Sequence, residues 1–259
     1  MSLTGKSPSE TYKDIAYVDN DNNGVTTSLK QVKTGNGSNT ALQVSDRSLQ
    51  VKSATDNTTA LDVQNASGTS KLLVDTTNNY VKANGVHVNT QYATFGVSGA
   101  SLWSTAAANK HMLVPFDNMN PGTPVAIGVS TDPDTSFSIA NTADDIVSCY
   151  WFIMDNITID RVVWWSGADA ATGDTTRCHL MSYDIDTDNG STGGDLSSGV
   201  VLADGADITN AGYEQSYYQQ MTIQSADVTA GKVVLFTLRS DSVNSDFSIN
   251  ATIKYHITG

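Results

Sequence analysis

Through the first third of the chain apolar residues come in pairs two positions apart, and through the rest they come in longer alternating runs. Between residues 41 and 88 the pairs are Leu42/Val44, Leu49/Val51, Leu61/Val63, Leu72/Val74 and Val86/Val88, separated mostly by Ser, Thr, Asn, Gly, Asp and Gln. Two residues spaced this way lie on the same face of a strand. Each pair therefore predicts a short strand with one apolar face, followed by a turn. The repeat is irregular but visible, TALQV at 40–44 returning as TALDV at 59–63. Ten such side chains in one chain are too few to offset the conformational entropy of ordering residues 41–88. Copies of the same stretch wound about a common axis would supply the missing apolar contact. The expectation is an intertwined β-rich shaft whose core is these ten residues, in a homotrimer; a dimer or a larger ring satisfies the same argument.

From His111 onward the strands lengthen. Runs at 111–116, 125–130, 146–154, 157–165, 177–184, 199–203, 217–223, 232–239 and 246–257, with turn residues between them, predict a β-sandwich or jelly-roll head over 111–259. In the last run Phe247, Ile249, Ala251, Ile253, Tyr255 and Ile257 share one face. CYWFIM at 149–154 and VVLFTL at 233–238 are apolar on both faces, which places them at the centre of the head or at a subunit contact. Residues 91–110 lose the ladder and read as a neck sealed by Phe95 and Trp103. Residues 1–40 carry a few apolar points around the turn DNDNNG and read as an anchoring segment ordered by packing on sister chains or on a larger assembly. The predicted class is all-β, in four parts: 1–40, 41–90, 91–110 and 111–259.

Composition supports that class. Of 27 acidic residues only Glu10 and Glu214 are Glu, and Asp favours turns where Glu favours helices. The charge is lopsided. Residues 1–100 balance eight Lys/Arg against eight acids, so the whole net charge of −13 belongs to residues 101–259. A cation-poor acidic surface argues against gripping nucleic acid, whose affinity comes largely from Lys and Arg on phosphates. No apolar run resembles a signal peptide or a membrane span. Cys149 and Cys178 sit in apolar runs and read as small buried hydrophobes, unpaired, in a protein made in the cytosol.

The run GKSPSETYKDIAYVDNDNNGVTTSLKQVKTGNGSNTALQVS and the segment KLLVDTTNNYVKANGVHV at 71–88 together resemble the beginning and shaft of virion fibre and appendage proteins of tailed bacteriophages, especially those of marine bacteria. DVTAGKVVLF is similar to the strand-entry turn of compact trimeric jelly-roll heads. The resemblance covers about residues 4–90. It implies a trimeric structural protein of the virion, assembled in the bacterial cytoplasm, with its N-terminus bound to other virion proteins and its C-terminus outward. The head would then be a multivalent adhesin for a glycan or protein of the host surface. The alternatives are a purely structural fibre, decorating the capsid or serving tail assembly, and a glycan-active enzyme.

For catalysis the signals are sparse. His87, His111, His179 and His256 have no metal-ligand spacing, and no nucleophile elbow, phosphate loop or zinc-protease motif occurs. The expectation is no enzyme. For a cofactor, YDIDTDNGSTGGD offers Asp184, Asp186 and Asp188 at alternate positions and Asp195 at the twelfth, which suits Ca²⁺. Gly falls at the seventh position instead of the sixth, and a solvated loop tip has the same composition. DNDNNG opens like a calcium loop too, but Lys30 stands at its twelfth position. For binding, aromatic side chains with polar tips are the residues to seek. Trp164 and Trp165 point to opposite faces of one strand, so one faces away from the local core, toward solvent or a neighbouring subunit. Tyr213, Gln215, Tyr217 and Tyr218 form the second group, with Gln219 and Gln220 as hydrogen-bonding partners.

Overall fold

A computed structural model describes residues 16–21, 23–97, 108–119, 123–169, 172–212, 215–241 and 246–258. The chain divides into two compact units, 1–88 and 89–259, and the described residues are nearly all β.

The first unit holds two four-stranded antiparallel sheets. One is built of β1 (Ala16–Val18), β2 (Lys30–Thr34), β3 (Asn39–Val44) and β4 (Leu49–Val51), in chain order; the other of β5 (Leu61–Gln64), β6 (Ser70–Asp75), β7 (Tyr80–Ala83) and β8 (Val86–His87), also in chain order. The paired Leu and Val residues meet across the strands. Leu42 opposes Val51 and Val44 opposes Leu49, while Leu61 opposes Val74 and Val63 opposes Leu72. Each sheet thus gathers these Leu and Val residues on one face, as cross-strand pairs. Asn84 and Gly85, both at positive φ, turn β7 into β8, the Asn-Gly hairpin geometry that matches strand twist. The apolar faces remain open: Leu49 is 67% exposed and Val88 60%, and Leu42, Val51, Leu61, Val63, Leu72 and Val86 are exposed as well.

The second unit is a sandwich. Its larger sheet runs β10 (His111–Val114), β19 (Lys232–Ser240), β13 (Thr175–Ile185), β14 (Leu196–Asp204), β17 (Thr222–Ile223), with β11 (Trp151–Phe152) also on β19 and β15 (Ile208–Thr209) on β13. Its smaller sheet runs β16 (Gln215–Gln220), β12 (Ile157–Asp169), β20 (Asp246–Ile257), β9 (Thr90–Val97), with β18 (Asp227–Val228) on β12. Between the sheets lies one core, in which Phe95 of β9 and Trp164 of β12 pack with Cys178 of β13 and Phe236 of β19. A second core covers the far face of the larger sheet. There Leu113, Met181, Tyr183, Val233 and Leu235 meet Val125, Ile127, Ile139, Ile146 and Cys149 from the long connection after β10. VVLFTL is therefore buried on both faces because its sheet is covered on both, by the other sheet and by a connection.

Three expectations change in detail. The run at 146–154 is not one strand: Ala143–Ile146 form a single α-helical turn and Val147–Cys149 a 3₁₀ turn before β11. Its apolar character is also uneven, since Trp151 and Ile153 are buried while Met154 is 81% exposed. The run at 125–130 forms no named strand; it is tied to β10 by single bonds such as Leu113 N to Val125 O and Ile127 N to His111 O. Residues 91–97 of the expected neck belong to β9, the edge strand of the smaller sheet, and Phe95 is fully buried in the core. Trp103 lies outside the described residues.

Candidate functional site

The outward face of the smaller sheet carries the aromatic residues that are both exposed and grouped. Because β12 alternates, Val162, Trp164 and Ser166 turn inward while Arg161, Val163, Trp165 and Gly167 turn outward. Register aligns the outward residues of four strands into rows. Tyr218, Trp165, Asn250 and Gly96 form one, Gln220, Val163, Thr252 and Thr94 the next, and Arg161, Lys254 and Tyr92 a third. Trp165, 54% exposed, meets Tyr218 with ring centroids 4.9 Å apart at 47°. The Arg161 guanidinium donates to the Tyr218 hydroxyl at 3.2 Å. On the other flank of the indole is an open groove of about 500 Å³, bounded by Val97, Asn118, Trp165, Gly167, Ser248 and Asn250.

Of the expected binding residues, the structure brings Trp165 and Tyr218 together and separates the others. Trp164 is fully buried between the sheets, which removes it from any surface. Tyr217 packs against the core, its hydroxyl donating to Gln215 Oε1 at 2.7 Å and accepting from Ala211 N at 2.8 Å. Gln215 is thereby a support for Tyr217. Tyr213 lies outside the described residues. Arg161 and Lys254 were not among the candidates; only the register of β12 with β20 makes them neighbours.

The carboxylates of the acidic loop are engaged within the protein. Asp184 pairs with Lys232 Nζ at 2.5 Å, and that ammonium, the largest influence on it, holds its carboxyl below the usual range. Asp186 accepts from Asp188 N at 2.9 Å and from the Thr192 hydroxyl at 2.7 Å, and Asp195 accepts from Ile139 N at 2.8 Å. Among the described residues no cluster of three or more His, Cys, Asp or Glu is arranged to hold a metal ion. In DNDNNG, Asp19 pairs with Lys33 at 2.7 Å and Asn20 Nδ2 donates to Gly24 O at 2.7 Å.

A buried histidine pair lies inside the larger sheet. His111 of β10 and His179 of β13 meet edge to face, 5.0 Å between centroids, both fully buried. His111 Nε2 is 2.9 Å from the Ser130 carbonyl oxygen. His179 Nε2 lies 3.2 Å from Asp132 Oδ1 and 3.2 Å from Asp204 Oδ1, without the alignment of a hydrogen bond. Burial pushes the His179 imidazole down to about 4, and His111 beside it acts in the same direction. The two carboxylates oppose this weakly. Asp204 is engaged by the Arg177 guanidinium, with Nε to Oδ1 at 3.0 Å, and Asp132 is more than half exposed, so water screens it. A neutral imidazole closed off from solvent fits a structural role.

No protein family and no curated protein matches the chain. Among solved structures it is similar to the CBM22-1–GH10 modules of the N-terminal endo-1,4-β-D-xylanase 10B of Clostridium thermocellum, complexed with xylohexaose. Identity is 13%, the match covers 65% of this chain and 29% of that one, and the TM-score is 0.24. So distant a likeness carries no argument about fold or ligand, and this chain's function has to be argued from its own residues.

Proposed function

We propose that this chain is the subunit of a trimeric bacteriophage fibre, in which residues 41–88 associate with sister chains and the 89–259 sandwich is the part that attaches to a host surface. The observation that carries the reading is the row of open Leu and Val residues on the two small sheets. Cross-strand pairs such as Val44 with Leu49 and Val63 with Leu72 assemble flat apolar faces, and a soluble chain rarely leaves such faces to water without a partner. Sister copies are the economical partner, because a repeated pattern is self-complementary about an axis. The sequence resemblance of residues 4–90 to virion fibres supports the particle setting. Held three to a shaft, weak attachment sites act together through high effective concentration.

The test is the mass of the purified full chain in solution by light scattering, beside a Leu49→Asp/Val63→Asp variant. The reading expects a trimer that the variant converts to monomer, with the tryptophan fluorescence of the sandwich unchanged. A well-folded monomer of the unaltered chain at micromolar concentration overturns it.

A further inference from the structure

We infer that the outward face of the β16-β12-β20-β9 sheet binds an anionic saccharide, one sugar ring stacking on Trp165 and a carboxylate or sulfate of the same chain meeting Arg161 and Lys254. The inference deepens the reading of the sandwich as the attaching part and rests on it for its setting.

Charge is the first argument. Residues 89–259 contain six cations: Lys110, Arg161, Arg177, Lys232, Arg239 and Lys254. Arg177 and Lys232 are ion-paired, and Arg239 donates to Asn109. Arg161 and Lys254, in contrast, stand directly opposite each other across β12 and β20, and among the described residues neither has a carboxylate within ion-pair distance. Like charges so placed are unfavourable in a sheet, and an anion bound between them relieves the cost. Two acids of the same sheet have other partners: Asp160 Oδ1 lies 3.0 Å from His256 Nδ1, and Asp227 accepts from the Thr158 hydroxyl at 2.6 Å. The acidic remainder of the sandwich repels anions elsewhere and so confines them to this patch.

Shape is the second. Trp165 is braced by Tyr218, so its indole presents a fixed apolar wall to the groove. The floor is Gly167, where an added Cβ would meet nothing within 4 Å. Around it stand uncharged donors and acceptors, Asn118, Ser248 and Asn250, the chemistry that suits sugar hydroxyls against an aromatic face. Asn118 holds its place at a positive φ of 55°, its side chain lying across Gly96, where a Cβ would come within 1.9 Å of Oδ1. The Arg161 guanidinium reaches the Tyr218 hydroxyl at 3.2 Å, and the Tyr218 ring in turn packs on Trp165, so the stacked sugar and the anionic group are bound at neighbouring points of one face. A protein partner is disfavoured, since it would want several apolar anchors where this face offers one aromatic pair.

The experiment is calorimetric titration of the full-length protein with three probes: oligogalacturonate, a sulfated dextran oligomer and unmodified dextran of the same length. The inference expects binding of one or both acidic probes and not of dextran; which of the two binds assigns the carboxylate or the sulfate. Trp165→Ala should abolish binding, and Arg161→Gln/Lys254→Gln should weaken it by about tenfold or more, the loss expected for a charge-assisted bond. Unfolding curves check that these surface variants remain folded. Equal binding of dextran, binding unchanged in the double variant, or no binding to any probe overturns the inference. So does a Trp165 that resists N-bromosuccinimide in the free protein, because a sister subunit then covers the face. Light scattering on the same samples keeps the two proposals apart. A monomer that binds an acidic probe sinks the fibre alone, and a trimer that binds none sinks the saccharide site alone.

Discussion

Lowering the pH from 7 to 4 places a proton on His179 in the unfolded chain well before the folded protein accepts one. Burial holds the native imidazole down to about 4, against an ordinary value near 6.5. Between those values the unfolded state binds more protons, so stability rises with pH and is lost as the pH falls through the window. At about 1.4 kcal/mol for each pH unit, the loss attributable to this one group approaches about 3 kcal/mol. His111 adds to it in the same direction, since burial pushes its imidazole down as well. The assay is urea unfolding at intervals from pH 7 to pH 4, followed by tryptophan fluorescence; every Trp lies beyond residue 88, so the signal reports the sandwich. His179→Gln should be the less stable protein at pH 7, and its deficit should shrink steadily toward pH 4. Parallel profiles for the two proteins, or an NMR titration showing His179 protonated at pH 6, would refute the reasoning and would mean that the Asp132 and Asp204 carboxylates outweigh burial.

Two further outcomes follow from packing. Trp164→Ala should destabilise the sandwich by about 3–5 kcal/mol, the cost of emptying a buried aromatic site, whereas Trp165→Ala, cut from an exposed position, should cost about 1 kcal/mol or less; similar losses in urea unfolding would mean that the two faces of β12 are misassigned. Neither cysteine should react with a thiol reagent until the sandwich unfolds, because burial pushes the Cys149 thiol up to about 11 and the Cys178 thiol well above its ordinary value. Fast labelling of the native protein at Cys178 would show that β13 is not enclosed between two cores.

What was legible in the sequence was what a period of two encodes. The alternation of Ile249, Ala251 and Ile253 marked β20 and its inward face, the continuous run VVLFTL marked a strand covered on both sides, and the opposed Trp164 and Trp165 announced that one would be exposed. Periodicity gives a face but not a neighbour. Nothing in the spacing of Arg161 and Lys254, or of His111 and His179, reveals that strand order sets the first pair side by side and brings the second edge to face. The run at 146–154 misled because a helical turn and a short strand can both bury Ile146, Cys149, Trp151 and Ile153, and apolar content alone does not distinguish them. In the acidic loop, spacing shows the residue types but not their contacts with Lys232, with the loop's own backbone and with Ile139.

The position of β20 sets a timetable for synthesis. This strand lies between β9 and β12 and bonds to both, yet residues 98–245 must all leave the ribosome after β9 before β20 begins to appear. Until then β9 has no partner in its sheet, and Phe95 lacks Ala251, its neighbour across the strands. The small sheets of residues 16–87 pair only with strands adjacent in the chain and can form as they emerge. Local pairings of that kind are quick, and a closure spanning so much chain is slow. The two halves of the protein therefore mature on different clocks, and an incomplete chain exposes a waiting strand edge until β20 arrives.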